Sequence, residues 1–129
     1  MKIQLEPIGI IHSGLNSLDD CPLQEAENAP EALVKIFTNY ADGVKDIRAG
    51  DEIIILTWLH KADRKELETH PRNDPNTPLT GVFSTRSPNR PNPIGIHFVK
   101  VIAVLPGYNL QIDGLEVLNG TPVLDIKPA

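Results

Sequence analysis

The chain has 129 residues, which suffice for one hydrophobic core but not for two. Apolar residues make up 40% of the sequence, and no run approaches the roughly 20 apolar residues that span a bilayer, which excludes a membrane-spanning helix. The net charge of −5 argues against a protein that coats nucleic acid through bulk electrostatics. A single cysteine, Cys21, excludes an intramolecular disulfide, and the N-terminus lacks the apolar block of a signal peptide, so a cytoplasmic protein is predicted.

The charge is unevenly distributed along the chain. Seven basic and four acidic residues lie between His60 and Lys100, so this part carries +3, whereas the remainder carries −8. A basic site on an acidic body is suited to a polyanion or to a ligand with a carboxylate. A mixed, solvated surface without a ligand is the alternative interpretation.

The first part of the chain predicts short strands joined by loops. Apolar runs predict three strands, at residues 8–11, 33–37 and 52–59. The last of these is the clearest, because it is apolar on both faces. Residues 12–32 predict a loop, and residues 73–78, with two prolines, exclude regular structure. One or two helical turns are predicted over 40–47, with Asn39 as the cap, and a short helical segment over 61–68.

The last third of the chain alternates between strands and turns. Three strands are predicted, at residues 96–105, 110–118 and 122–127. A turn separates the first two at 106–109, and Asn119-Gly120 is the strongest short hairpin signal in the chain. Because β-branched runs dominate and long helical periodicity is missing, the sequence predicts a mainly β fold. Its expected form is a small antiparallel β-barrel with few short helices.

The most informative stretch is Gly81-Val82-Phe83-Ser84-Thr85-Arg86-Ser87-Pro88-Asn89-Arg90-Pro91-Asn92-Pro93-Ile94-Gly95. It holds two guanidinium groups, two amides, three hydroxyls and three prolines, between a strand beginning at Val82-Phe83 and the strand from Ile96. Each proline fixes its own φ and restricts the residue before it, so the polar side chains are presented at little entropic cost. A stiff binding loop for a polar ligand is predicted. The alternative is a proline-rich surface connection that the arginines merely solvate.

Several side chains carry candidate chemistry. Arg86 and Arg90 each offer a planar fork for a carboxylate or phosphate, and Asn89 and Asn92 are suited to reading an amide or base edge. His60 directly follows the buried strand, where a strand end meets solvent. A histidine satisfied within the fold is the alternative there.

Other familiar site types are missing from the sequence. The remaining histidines are too far apart to suggest a metal cluster, and no CxxC or HxxH spacing exists, so no metal is predicted. No glycine-rich phosphate loop is present, so side chains and strand-edge backbone would have to hold a nucleotide-like cofactor. Glu116 lies in an apolar run, with its carboxylate either facing solvent or turned into a pocket.

Together these residues resemble the TsaA-like, or TrmO-like, family. Its hallmark, G-V-F-[AS]-T-R-S-x-x-R-P-N-P-I-G, matches residues 81–95, and Ala41-Asp42-Gly43-Val44 and Gly-Thr-Pro-Val-Leu-Asp-Ile-Lys-Pro at 120–128 support the match. The resemblance covers nearly the whole chain. It implies an S-adenosyl-L-methionine-dependent methyltransferase with a small β-barrel fold, acting as a homodimer. The implied reaction is N6-methylation of threonylcarbamoyladenosine beside the tRNA anticodon.

The resemblance also implies a set of site residues. It places the methyl donor against Gln24, His60, Lys61, Arg86, Phe98 and the run Leu115, Glu116, Val117, Leu118, whose backbone would hold the adenine. Two of these are catalytic candidates: Arg86 would orient a carboxylate or the modified base, and Glu116 would accept the N6 proton. Asn89, Arg90 and Asn92 would face the tRNA, and the donor site would lie near the subunit interface.

Three departures from the family pattern keep other functions open. Pro22-Leu23-Gln24 stands where P-R-Q is frequent, and His97 stands where serine is common. The sequence also ends at Ala129, where longer relatives continue into a second small domain, so one β-barrel domain over residues 1–129 is expected without that accessory domain. The alternatives are a methyltransferase for a small-molecule acceptor and a non-catalytic module that binds S-adenosyl-L-methionine or a nucleotide.

Overall fold

The structure, a computed structural model, describes residues 1–13, 31–114 and 117–129. Its strands are β1 (Gly9–His12), β2 (Ala32–Ile36), β3 (Glu52–Trp58), β4 (Glu68–Thr69), β5 (Thr80–Gly81), β6 (Ile94–Leu105), β7 (Asn109–Ile112) and β8 (Pro122–Pro128). Short 3-10 helices cover Thr38–Val44, Pro71–Asn73 and Val82–Ser84. Within the described ranges, no helix is long and apolar enough to cross a membrane.

Six of the strands close into a barrel. Their order around it is β1-β2-β7-β6-β3-β8, with β8 pairing back to β1, and every neighbouring pair is antiparallel. Strands β4 and β5 form a separate two-stranded sheet within the long connection between β3 and β6. The predicted mainly β fold, an antiparallel β-barrel with few short helices, is confirmed.

Alternation along the strands fills the barrel interior. In β3, Ile53, Ile55 and Thr57 are buried and the residues between them are only half-buried. In β6, every second residue from Gly95 to Val101 is buried, and those between are exposed. The core is completed by residues of the other strands: Ile11, Val34, Ile36, Leu110, Ile112 and Val123. Because successive side chains point to opposite faces, the second apolar set of β3 lies on the outside of the barrel.

A polar pair lies within this core, at the end of the hallmark sequence. Thr57 Oγ1 and His97 Nε2 are 2.8 Å apart, and both residues are buried. Gly95 pairs with Thr57 across the β3–β6 ladder. A Cβ added at Gly95 would lie 2.6 Å from Thr57 Oγ1 and 2.7 Å from His97 Nε2. A larger residue at position 95 would therefore displace at least one member of the pair.

One helix prediction was confirmed with shifted bounds and another cap, and one was wrong. The turns expected over 40–47 begin earlier, as the 3-10 helix Thr38–Val44, and the cap is Phe37 rather than Asn39, without a side-chain hydrogen bond. The segment 61–68 is not helical, because the amide N–H of Asp63 bonds to Asn89 Oδ1 and that of Lys65 to Asp63 Oδ1 instead of to helical carbonyls.

Two strand predictions were also wrong in part. The expected strand at Val82-Phe83 is a 3-10 turn, because the Thr85 amide N–H bonds back to the Val82 carbonyl. The return strand expected over 110–118 ends at Ile112, and the last two residues of that range lie outside any strand.

Asn119-Gly120 forms a turn, but not a hairpin. The Thr121 amide N–H closes the turn on the Leu118 carbonyl at 3.1 Å, and Gly120 has a φ of +87°. However, the strands on either side, β7 and β8, pair with other strands and not with each other. Most of the loop predicted over 12–32, including Cys21, lies outside the described residues.

We expect Gly95→Ala to lower the free energy of unfolding by about 1–3 kcal/mol, because the new methyl group overpacks the Thr57–His97 pair. Chemical denaturation followed by circular dichroism measures this change. Gly43→Ala is the matched control, since a Cβ there meets nothing within 4 Å. If the two variants have the same free energy of unfolding, Thr57 and His97 can shift to accommodate the methyl group without loss of stability.

Candidate functional site

Three segments implicated by the sequence lie at one end of the barrel. At this end β3 stops and both β6 and β8 begin, because Trp58 pairs with Ile94, and Thr57 with Val123. The hallmark segment, residues 81–95, leads into β6. His60 and Lys61 follow β3 after Leu59, and Val117 and Leu118 precede β8. Antiparallel pairing thus gathers stretches that are far apart in sequence.

Arg90 stabilises the hallmark segment through hydrogen bonds to its backbone. Its Nη2 donates to the carbonyl oxygen of Thr85 at 2.5 Å and also to that of Val82. The Val82 carbonyl further accepts the amide and the hydroxyl of Thr85, at 3.1 and 3.0 Å. Arg90 Nε is buried and has no hydrogen-bond partner among the described residues. The guanidinium therefore acts inside the loop, and the turn from Val82 to Thr85 is fixed by three donors on one carbonyl.

The turn that carries His60 and Lys61 is tied to the hallmark segment on both sides. Before this pair, the Leu59 amide N–H donates to the Pro93 carbonyl at 2.8 Å. After it, the Asp63 amide N–H donates to Asn89 Oδ1, also at 2.8 Å. The side chains of His60 and Lys61 are exposed. The structure therefore places both beside the hallmark segment, facing solvent, and His60 is not a histidine satisfied within the core.

Arg64 makes a further link that sequence reasoning missed. Its Nε donates to the Pro91 carbonyl at 2.8 Å, and its Nη2 to Asn92 Oδ1 at 3.3 Å. Its guanidinium also stands 5.0 Å from the centroid of the Trp58 ring. The sequence offered one signal for this link, a tryptophan at the end of the buried strand followed by a run of basic residues.

Arg86 is presented to solvent beside an aromatic ring. Its guanidinium carbon lies 6.0 Å from the centroid of the Phe98 ring, on the outer face of β6, and the side chains of both residues are exposed. This distance is at the outer limit of a cation–π contact. Arg86 makes no hydrogen bond or ion pair with the described residues. Its donors are thus open to an anionic ligand.

Val117 and Leu118 present backbone rather than side chains. Both side chains are buried. The Val117 carbonyl accepts the Ser13 hydroxyl at 2.9 Å, and the Leu118 carbonyl accepts the Thr121 amide and hydroxyl at 3.1 and 2.7 Å. Neither amide N–H of the two residues donates to a described acceptor. A ligand here can therefore accept from these N–H groups, and the Val117 carbonyl can accept a second bond.

Some predicted site residues cannot be placed against this geometry. Gln24, Leu115 and Glu116 lie outside the described residues, so their roles stay predictions. The tRNA-facing role of Asn89, Arg90 and Asn92 also stays a prediction, and each of these side chains already serves the loop.

The basic side chains of the positive part of the chain face solvent. Of the seven between residues 60 and 100, only Arg90 is partly buried, and the others are exposed. Within residues 1–13, 31–114 and 117–129, no group of three or more His, Cys, Asp or Glu side chains could hold a metal ion. The arrangement is therefore one of exposed guanidinium and ammonium groups, amides and an aromatic ring.

The comparisons with known proteins agree with the hallmark. The model of a family described as the tRNA-methyltransferase O N-terminal domain matches residues 10–129. The chain belongs to this family. The crystal structure of TrmO from Pseudomonas aeruginosa superposes with a TM-score of 0.77 at 28% identity, over all of this chain and 56% of that one. The chain thus spans little more than half the length of that TrmO.

Family relatives of similar length also exist. A probable S-adenosyl-L-methionine-binding protein of Methanothermobacter thermautotrophicus is 38% identical over 99% of this chain and 90% of its own length. An S-adenosyl-L-methionine-binding protein of Archaeoglobus fulgidus is 40% identical, over 95% of this chain and 86% of its length. A second Archaeoglobus fulgidus protein, a probable S-adenosyl-L-methionine-binding protein at 40% identity, is covered over only 34% of its length. The same domain therefore occurs alone and within longer chains.

We expect Arg90→Ala to lower the free energy of unfolding by about 1.5–3 kcal/mol, the range for hydrogen bonds to a charged group. Arg86→Ala should change it by no more than about 0.5 kcal/mol, because the side chain is exposed. Urea unfolding of the two variants makes the comparison. A loss at Arg86 as large as that at Arg90 would show that Arg86 is a structural residue.

Proposed function

We propose that this chain is a cytoplasmic S-adenosyl-L-methionine-dependent methyltransferase that N6-methylates threonylcarbamoyladenosine beside the tRNA anticodon. The observation that carries the proposal is the rigid hallmark segment, which presents an open guanidinium, that of Arg86, next to Phe98. The names of the relatives, S-adenosyl-L-methionine-binding proteins, support the donor. The family description supports the tRNA.

The residues of this site fit the proposed donor. A guanidinium fork is suited to a carboxylate such as that of the donor's methionine part, and an exposed aromatic ring is suited to a flat base or a cationic centre. The amide N–H groups of Val117 and Leu118 match the acceptor nitrogens of adenine. When bound, S-adenosyl-L-methionine supplies an electrophilic methyl group. Gln24, His60, Lys61, Leu115 and Glu116 complete the proposed donor site.

The residues of the chain mainly position the reactants. Methyl transfer needs an in-line approach and the exclusion of water, so a stiff loop lowers the entropic part of the barrier. The N6 nitrogen of a carbamoylated adenine is poorly nucleophilic until its proton leaves, and a proton acceptor is therefore required. We assign this role to Glu116, and to Arg86 the orientation of a carboxylate, which the donor and the threonyl group of the acceptor both carry.

The tRNA side of the site is formed by the hallmark amides. The side-chain oxygens of Asn89 and Asn92 accept bonds from the turn after β3, and their amide nitrogens donate to none of the described residues. We assign these nitrogens to the RNA. Arg90 acts on the same substrate indirectly, through the shape of the loop that it braces.

We further propose that the outer face of β3 and β6 is the interface of a homodimer. Six large apolar side chains lie there on neighbouring strands: Ile54, Leu56, Trp58, Ile94, Ile96 and Phe98. The three from β6 are 41%, 40% and 51% exposed. Contiguous exposed apolar surface of this kind marks an interaction site. Because Arg86 lies beside Phe98, the donor site would border the interface.

Calorimetric titration with S-adenosyl-L-methionine tests the donor. We expect binding at sub-millimolar concentrations, and at least a tenfold weaker affinity for Arg86→Ala with an unchanged melting temperature. Arg86→Lys keeps the charge but loses the fork, so its affinity should fall between the two. A wild-type protein that releases no heat would contradict every donor-dependent function.

The acceptor is tested separately by mass spectrometry of tRNA from a strain that lacks this gene. We expect the N6-methylated nucleoside to disappear and to return with the wild-type gene. Unchanged N6-methylation, together with donor binding, would favour a small-molecule acceptor. Donor binding without methyl transfer to any acceptor would favour a non-catalytic binding module.

The interface is tested by Ile96→Glu, which places a charge in the centre of the outer face. We expect this variant to elute as a monomer in size-exclusion chromatography with light scattering, at half the mass of the wild type. Leu79→Glu, at a side chain 57% exposed and outside this face, is the control and should keep the wild-type mass. A dimer that survives Ile96→Glu would place the interface elsewhere.

A further inference from the structure

Phe83 is exposed to an unusual degree for an aromatic residue. Its side chain is 80% exposed, more than any other large apolar side chain in the described ranges after the first three residues. Phenylalanine is among the residues most often buried in folded proteins. Phe83 also lies outside the apolar face of β3 and β6, in the β3–β6 connection, residues 59–93. The ring therefore needs an explanation of its own.

The exposure does not come from a loose backbone. The residue before it, Val82, is fully buried, and its amide N–H donates to the Leu67 carbonyl at 2.9 Å. Its carbonyl accepts the guanidinium of Arg90 and two bonds from Thr85. The turn is fixed on both sides of Val82, and it points the next side chain into solvent. A ring held in this way loses little entropy when a ligand covers it.

The charge around Phe83 indicates the kind of ligand. The β3–β6 connection holds six basic and four acidic residues, so it carries +2 on a chain of net −5. Arg86 follows three residues later and is exposed. A ligand with flat apolar faces and negative charge matches this surface. Unpaired RNA bases have that character, and they are commonly bound by stacking on aromatic side chains.

We propose that Phe83 is a stacking platform for an unpaired base of the RNA acceptor, a contact that rests on the function proposed above. Stacking on a fixed ring would hold the RNA loop against the hallmark segment while the donor occupies the surface near Arg86 and Phe98. Phe83 would thus contribute to acceptor affinity and not to donor affinity. A second copy of the chain is the competing occupant, but the apolar face proposed for it lies on the barrel wall, whereas Phe83 lies in the β3–β6 connection, three residues before the exposed Arg86.

The test measures RNA and donor binding of the same variants. The probes are a fluorescein-labelled anticodon stem-loop RNA, followed by anisotropy, and S-adenosyl-L-methionine, followed by calorimetry. We expect Phe83→Ala to weaken RNA binding by roughly 5- to 100-fold, as for the loss of one stacked base. Its donor affinity should stay within about twofold of the wild type, since the ring lies outside the proposed donor site. Phe83→Trp should restore RNA binding, and Leu79→Ala, another exposed apolar side chain of the connection, should leave it unchanged.

Each other outcome would overturn the inference in its own way. Equal RNA binding by Phe83→Ala and the wild type would show that the ring does not stack on RNA. Weaker donor binding alone would place the ring in the donor site, and a change of oligomeric state would place it between two copies. A wild-type protein that binds the donor but no RNA would instead contradict the tRNA part of the proposed function. Thermal melting controls for folding, and we expect no change because the side chain is exposed.

Discussion

The guanidinium of Arg90 determines the shape of the candidate site. It donates to the Val82 and Thr85 carbonyls and so holds the two ends of this stretch of the hallmark segment together. Prolines have no amide N–H to donate, so the guanidinium supplies donors that the backbone of this loop lacks. Arg86 and Phe83 face outward from the loop that this guanidinium closes. Of these two arginines four residues apart, one is bonded within the loop, and the other makes no hydrogen bond or ion pair with the part of the chain that the structure describes.

The barrel supplies the rigid base for this loop. Closure removes free strand edges, so the ends of β3, β6 and β8 are fixed relative to one another. The last glycine of the hallmark, Gly95, lies in the wall and not in the loop, where it admits the buried Thr57–His97 pair. The hallmark sequence therefore meets two structural requirements. Its centre presents polar side chains, and its last residue leaves room for the Thr57–His97 pair against the backbone.

The sequence predicts the scaffold better than the site. Apolar patterning located all six barrel strands, because each strand must bury one face whatever its neighbours are, but the strand predicted over 110–118 ends already at Ile112. It failed at 61–68 and at Val82-Phe83, where side chains from elsewhere in the chain satisfy the backbone. The different environments of Arg86 and Arg90 could not be predicted from the sequence either, because both residues are arginines in the same stiff loop. Only the three-dimensional positions of the Val82 and Thr85 carbonyls separate them.

The apolar pattern of β3 links the fold to the proposed assembly. As a sequence it indicates a strand buried on both faces, yet the barrel buries only Ile53, Ile55 and Thr57. The opposite set, Ile54, Leu56 and Trp58, continues across the ladder into exposed side chains of β6. A contiguous exposed apolar face of this kind marks an interaction site. In the homodimer proposed above, a second copy of the chain would cover this face, next to the guanidinium of Arg86.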